Sequence, residues 1–337
     1  MVRLKDIALR AGVSVMTVSK VLRNAKDISP ETKARVRALA TQMGYMPDSV
    51  AQGLRTRTSK LFGLIIPSST NPIFARIVMA IEDRAYELGY DVLLAHSLNL
   101  PEREDQIVRR FLSRRVDGLF LTPVYRLDPS VPLYEELLRR GTKTVLLGHR
   151  APFCEKFSNV ETDDVSGSYA ATKHLIDLGH RRIAFFSGPP AAPSSQERLE
   201  GYRRALREAQ IELDDKLIFA AGSTTEEGEH AALQMLQESP KATAIQAAND
   251  LVAIGAATVL LNQGIRIPED MSIVGFGNVL ISEHFRVPLT TVRQPKLRLG
   301  MAAMETMLRL MRGEKPEPKR LPAELVARKS SAPPPTS

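Results

Sequence analysis

Val15, Met16, Thr17, Ser19 and Lys20 share one octet, VMTVSKVL, whose other residues Val18, Val21 and Leu22 are spaced to be buried together on a helix. That spacing turns an apolar pair, two hydroxyls and a cation toward a partner. Such a set can press on thymine methyls and bond to phosphates, which is the chemistry of reading duplex DNA. The elements needed to present it surround it in DIALRAGVSVMTVSKVL, residues 6–22. Ile7, Ala8 and Ala11 form a helical stripe, and Gly12 suits the φ > 0 position just past a helix end. Ser14 is placed to cap the second helix by accepting from a first-turn N–H. Ala8 is small where two helices must cross. The layout is that of a helix-turn-helix, in which the early residues of the second helix enter the major groove. A third helix is expected from Ser29-Pro30-Glu31, capped by the serine and ending at Gly44, with Val36, Leu39, Ala40 and Met43 on its inner face.

Charge supports the same reading independently. Residues 1–60 hold twelve Lys and Arg against four Asp and Glu, and this excess of eight equals that of the whole chain of 337 residues. All net positive charge therefore sits on the DNA-reading segment, and the remainder is neutral. Cations on phosphates supply the sequence-independent part of DNA affinity. Residues 46–60, MPDSVAQGLRTRTSK, continue the basic stretch, and Ser49–Arg55 could make a short helix. Alone it would be marginal, so it is expected to fold only when paired.

Other function classes find no support. GxxxxGKS/T, HExxH, GxSxG and CxxC are absent, the six histidines are scattered, and the single Cys154 excludes an internal disulfide. No catalytic residue, metal site or cofactor is expected, and Cys154 and His180 read as structural. The start, MVRLKDIALR, has no apolar signal core, and no apolar run nears the roughly 20 residues of a membrane span, so a soluble cytoplasmic protein with no membrane partner is expected. The same start argues against an exported binding protein for transport.

From Leu61 the pattern becomes alternating strands and helices. Apolar runs at 61–66, 90–95, 117–122 and 143–148 are separated by helical stretches near 73–88, 102–114 and 131–140. A second series has strands near 182–187, 216–220, 243–247 and 271–276, with helices near 165–178, 195–210, 226–238 and 250–262. Two series of this kind predict two lobes built on parallel sheets with helices on both faces. A last helix is expected at about 295–312.

These blocks resemble LacI/GalR-type bacterial transcription regulators over about residues 3–331. The matching stretches are DIALRAGVSVMTVSKVL, MGYMPDSVAQGLR, FGLIIPSSTNPIFA, HLIDLGHRRIAF, ERLEGYRRAL, ANDLVAIGA, IPEDMSIVGFGN and PLTTVRQP. The resemblance implies an all-α helix-turn-helix headpiece plus an α/β core with a two-lobed, periplasmic-binding-protein-like fold and parallel sheets. It places the headpiece at 1–45, a hinge helix and linker at 46–59, and an effector-binding and dimerisation core at 60–329. Lobe one would take about 60–159 and 291–319, lobe two about 160–290 and 320–329, and a disordered tail 330–337. Crossing strands are expected near 158–161, 288–292 and 318–322.

Function by resemblance is sequence-specific binding of a palindromic operator by a homodimer, commonly as a repressor, under control of a small effector, a sugar or glycoside by family habit. A non-sugar effector stays open. Val15, Met16 and Lys20 occupy base-reading positions, with Thr17 and Ser19 beside them. Leu54 matches the hinge leucine that wedges into the minor groove, next to Arg55. Asn71, Phe74, Asp163, Arg198, Asp250 and Gln294 match positions that line the family's effector cleft, although Asp163 and Asp250 are also readable as helix caps and Phe74 as core. Two departures stand out: Gly277 replaces a common carboxylate, and Ser223 stands where an aromatic often stacks. These point to a bulkier ligand, such as an oligosaccharide or substituted glycoside. Neighbouring His149, Arg150 and His284 are candidates to replace the lost contacts.

Overall fold

The computed structural model describes residues 2–46, 58–238 and 241–335, and the chain divides into two compact units, Met1–Ser59 and Lys60–Ser337. In the first, α1 (Leu4–Ala11) ends where Gly12 turns left-handed at φ 64°. The second helix, α2 (Val15–Leu22), is capped by Ser14, whose Oγ accepts from the Thr17 N–H at 3.0 Å. Ser29 caps α3 (Pro30–Gln42) in the same way through Thr32, and Pro30 takes the first helical position. None of these helices is long enough to hold alone. They are held by a shared core of Ile7, Val18, Val21 and Val36, with Ala8, Ala11 and Ala40 at the close crossings and Leu22 packed at its edge.

The second unit contains two sheets of six strands. The first is built from β1 (Leu61–Ile66), β2 (Asp91–His96), β3 (Gly118–Leu121), β4 (Thr144–Leu147), β5 (Ser158–Thr162) and β11 (Lys319–Leu321), in the order β11-β5-β4-β3-β1-β2, all parallel. The second uses β6 (Ile183–Ser187), β7 (Ile218–Ala220), β8 (Ala244–Ala247), β9 (Ser272–Gly277), β10 (Thr290–Arg293) and β12 (Glu324–Val326). Its order is β12-β10-β9-β8-β6-β7, and only β12 runs antiparallel to its neighbour. Helices α4 (Ile73–Glu87), α5 (Pro101–Ser113) and α6 (Pro132–Arg139) cover the first sheet. Helices α7 (Asp164–Asp177), α8 (Pro193–Glu208), α9 (Thr225–Glu238) and α10 (Asp250–Asn262) cover the second. A short α11 (Leu280–His284) follows β9. The last helix, α12 (Lys296–Met311), returns to the first sheet, where Leu299, Ala303, Met304 and Met307 pack with Phe62 and Val145.

Each sheet reverses its winding beside its first strand, between β1 and β3 and between β6 and β8. In open α/β sheets such switch points open a crevice beyond the carboxyl ends of the strands. The chain passes between lobes after β5, after β10 and after β11, so β5 stays in lobe one to Thr162 and β10 stays in lobe two to Arg293. Among the described residues no helix is long and apolar enough to cross a membrane.

The tail corrects its sequence reading. Residues 330–332, expected to be disordered, are seated on lobe two. Ser330 Oγ accepts from the Thr290 N–H at 2.8 Å and donates to the Ile273 carbonyl at 2.6 Å. Ala332 N–H donates to Ser272 Oγ at 3.0 Å. The prolines that suggest disorder follow a Ser-Ser-Ala stretch whose polar groups bond to the amino-terminal ends of β9 and β10.

Candidate functional site

On α2, Val15 and Met16 are 46% and 68% exposed, while Val18 and Val21 are fully buried. Thr17, Ser19 and Lys20 are half-buried around them. The Thr17 hydroxyl lies 2.9 Å from Ser14 Oγ, and Lys20 Nζ lies 2.5 Å from Asp27 Oδ2. The Lys20 hydrogen bond holds the Asp27 carboxyl below its ordinary pKa. Leu54 and Arg55 lie outside the described residues.

Between the two lobes lies a cavity of about 370 Å³. Its walls are the carboxyl ends of the strands: Pro67 after β1, Thr122 after β3, His149 after β4, Thr162 on β5, Gly188 after β6, and Ala248 after β8. Five of the six effector residues expected from sequence, Asn71, Phe74, Arg198, Asp250 and Gln294, line it. Asp163 does not. Its Oδ1 accepts from the Ser166 N–H at 3.1 Å, so it caps α7, and its neighbour Asp164 faces the cavity instead. Two adjacent aspartates at a helix start divide these roles, because the cap must turn back on the first turn.

Arg198 is the pivot of the polar wall. Its Nε and Nη2 donate to Asp164 Oδ1 at 3.1 and 3.0 Å, its Nη1 donates to the Ala248 carbonyl at 2.5 Å, and its guanidinium lies 3.9 Å from the centre of the Phe276 ring. Burial lifts the Asp164 carboxyl above its usual value, while the charges of Arg198 and His149 pull it back. Asp250 is buried and satisfied within lobe two. It accepts from the Val279 N–H at 2.9 Å, from Ser282 at 2.7 Å and from Thr291 at 2.5 Å, so it braces the wall. Gln294 Nε2 donates to Thr162 Oγ1 at 3.1 Å. Gln294 Oε1 and Thr122 Oγ1 are buried on the cavity wall with no partner among the described residues.

A family model described as bacterial regulatory proteins, lacI family, matches residues 3–48, and one described as a periplasmic binding protein-like domain matches residues 172–331. The HTH-type transcriptional repressor PurR of Vibrio atlanticus is 33% identical over 308 residues, 91% of each chain. The chain belongs to the lacI family of bacterial regulatory proteins. It is a DNA-binding transcription regulator, not an enzyme. Among solved structures, the lac repressor dimer bound to operator and the anti-inducer ONPF matches with a TM-score of 0.87 at 30% identity, over 98% of this chain and 99% of that one. A complex of the transcriptional regulator CelR with cellobiose matches with a TM-score of 0.75 at 31% identity, over 98% and 100%.

The cavity of this lacI-family regulator also contains groups that sequence reasoning missed. His149, expected only as a substitute contact, has Nε2 3.3 Å from Asp164 Oδ2 and 3.1 Å from Glu197 Oε2. Arg320 then reaches Glu161 and Glu197, each at 2.7 Å. The other two substitutes fail: Arg150 is exposed and donates to the Glu155 carbonyl, and His284 is exposed on α11, away from the cavity. Ser223 lines the cavity, whereas Gly277 stands behind Asp250. Cys154 is buried, and desolvation pushes its thiol up to about 11, which leaves it unreactive at neutral pH.

Proposed function

We propose that this regulator acts as a cytoplasmic homodimeric repressor on a palindromic operator, and that a carbohydrate effector in the interlobe cavity sets its affinity for that operator. The carrying observation is the cavity at the carboxyl ends of both sheets, in a chain that also bears an exposed apolar pair on a capped recognition helix. A ligand between two lobes contacts both, so it favours whichever lobe arrangement fits it, and that bias is what an operator-binding unit can report. Val15, Met16, Thr17, Ser19 and Lys20 are assigned to the major groove, Leu54 and Arg55 to the hinge contact at the operator centre. Asn71, Phe74, Arg198 and Gln294 are assigned to the effector. Support for a sugar comes from the CelR–cellobiose match and from a wall mixing apolar faces with neutral polar groups.

Selection of binding sites from random duplexes tests the DNA reading, followed by gel-shift titration with a sugar panel. The expected result is a two-fold symmetric consensus whose affinity changes with one sugar class. Binding without any sequence preference would overturn it.

A further inference from the structure

An acidic residue is paired with the recognition helix, and the fold holds it there. Residues 1–60 contain four acids. Asp6 Oδ2 accepts from the Arg3 N–H at 2.8 Å, Glu31 sits in the first turn of α3, and Asp48 lies outside the described residues. Asp27 instead meets α2, its Oδ2 accepting from Lys20 Nζ at 2.5 Å. The loop that carries it is fixed at both ends. After α2 the chain reverses at Asn24, whose φ is 60°. The Asn24 N–H donates to the Val21 carbonyl and the Ala25 N–H to the Lys20 carbonyl, each at 3.0 Å. Arg37 on α3 donates to Asn24 Oδ1 at 3.0 Å, and Ile28 packs against the core of Ile7, Val18, Val21 and Val36. Backbone geometry therefore brings Asp27 to Lys20, which reduces the entropy lost in holding the pair. Lys20 lies one turn from Met16 on α2, so the pair borders the exposed apolar residues. Both members remain open to a partner, with side chains 38% and 57% exposed.

We infer that Asp27 is a specificity-determining residue, acting with Lys20 as one donor–acceptor unit on the edge of a single G·C pair in the major groove. This rests on the major-groove assignment of Lys20 above. In that groove guanine offers the acceptors O6 and N7, and cytosine offers its N4 amine. Guanine O6 and cytosine N4 of one pair are themselves hydrogen-bonded, about 2.9 Å apart, so a bonded ammonium and carboxylate match them in spacing. An ammonium has three donors and a carboxylate about four acceptor sites, so each can add a base contact without releasing the other. The ammonium donates to guanine while the carboxylate accepts from cytosine. At a T·A pair the thymine methyl stands where guanine N7 would accept. Reversing either pair sets amine against ammonium and oxygen against carboxylate. Phosphates are disfavoured by the same pairing. A lysine whose charge is already matched adds little to counterion release, and its carboxylate partner repels the DNA backbone. The pair thus favours one base pair and weakens binding to random sequence, and specificity is the difference between the two.

Site selection from random duplexes, with anisotropy titrations over a range of salt, tests this on the full chain and on Asp27→Ala, Asp27→Asn and Lys20→Ala. The wild type should select a dominant G·C pair at one position of each half-site. Asp27→Ala should weaken that preference by about tenfold. On random duplexes it should also steepen the slope of log affinity against log salt by about 0.9 per protomer, as Lys20 turns to a phosphate. Asp27→Asn keeps an acceptor oxygen and loses the charge, so it should retain the base preference and show the steeper slope. This variant is isosteric, and its slope decides alone if Asp27→Ala does not fold. Lys20→Ala should lose the G·C preference. If Asp27→Ala leaves either the consensus or the random-duplex slope unchanged while Lys20→Ala loses the preference, the inference is overturned and the major-groove assignment stands. If Lys20→Ala also keeps the wild-type consensus, both are overturned.

Discussion

His149 Nε2 lies 3.1 Å from Glu197 Oε2, and this contact ties the loop after β4 in lobe one to α8 in lobe two. Asp164, at the start of α7, approaches the same nitrogen at 3.3 Å, and Arg320 on β11 meets Glu197 from the other side. The lobes are thus fastened beside the cavity by ionisable groups. Arg320 holds Glu197 whatever the state of the imidazole, whereas the His149 part of this fastening depends on one proton.

Desolvation draws the His149 imidazole down, but the Glu197 hydrogen bond and the charges of Asp164, Glu197 and Glu161 outweigh it and set its pKa above the ordinary value. A raised pKa in the folded state means stabilisation that is complete below the ordinary imidazole pKa of about 6.5 and is lost as pH rises through the raised value. His149→Gln should therefore destabilise the protein by about 1.5–3 kcal/mol in mild acid and by clearly less at alkaline pH. Paired urea melts of wild type and variant across that range measure the difference. A gap that stays constant with pH would mean that no ion pair forms.

The division at Ser59/Lys60 gives a second expectation. A fragment of residues 60–337 should fold, keep its effector binding and lose specific DNA binding. Within the removed segment, Leu54→Ala should weaken operator binding by about 2 kcal/mol and leave random-duplex binding nearly unchanged, since a wedge acts only where a base step opens. Fluorescence anisotropy on both duplexes reads this directly, and equal losses would rule out a wedge.

The recognition helices were readable because Gly12, Ser14 and Ser29-Pro30 mark their ends with local chemistry that no tertiary contact needs to supply. The strands of both sheets were readable because runs such as LFGLII are buried on both faces and appear as unbroken apolar stretches. In contrast, β5, β10 and β11 were expected only from the family resemblance, and β12 was missed. The last two have three residues each, KRL and ELV, and their strand form comes from pairing with β5 and β10. At the site, Arg198 was legible, but the carboxylate on the cavity wall is Asp164, one residue after the expected Asp163, which takes the cap that its sequence also allowed. The contact between His149 and Glu197 joins residues 48 apart on different lobes, a juxtaposition that no periodicity encodes.

The seated tail makes a third expectation. Ser330 Oγ serves one backbone donor and one backbone acceptor, and the Ser330 carbonyl accepts from the Ile273 N–H at 2.7 Å. Ser330→Ala should cost about 1–3 kcal/mol, because it leaves a buried N–H and carbonyl unpaired. Truncation after Lys329 should lower the melting temperature further, since it also removes Ala332 from Ser272 and His180. Unchanged melting of the truncated protein would mean that this segment is not held in solution.

Gly277 gives the last expectation. Family resemblance suggests a carboxylate lost from the ligand's reach, which Gly277→Asp would restore. The local geometry argues otherwise. Gly277 has φ +138°, a conformation that side chains rarely adopt, and a Cβ there would stand 3.3 Å from Asp250 Oδ2 and 3.6 Å from Ile73 Cδ1. A second carboxylate would also crowd Asp250, whose pKa burial already raises. Lys296 cannot readily neutralise both, because its ammonium is held on the Gly277 and Asn278 carbonyls. Gly277→Ala should therefore destabilise by about 1–3 kcal/mol through backbone strain, and Gly277→Asp by more, with no gain in sugar affinity. Urea melts and calorimetry on both variants separate the two effects. A stable Gly277→Asp protein that binds a hexose more tightly would show that this glycine is a missing ligand and not a backbone requirement.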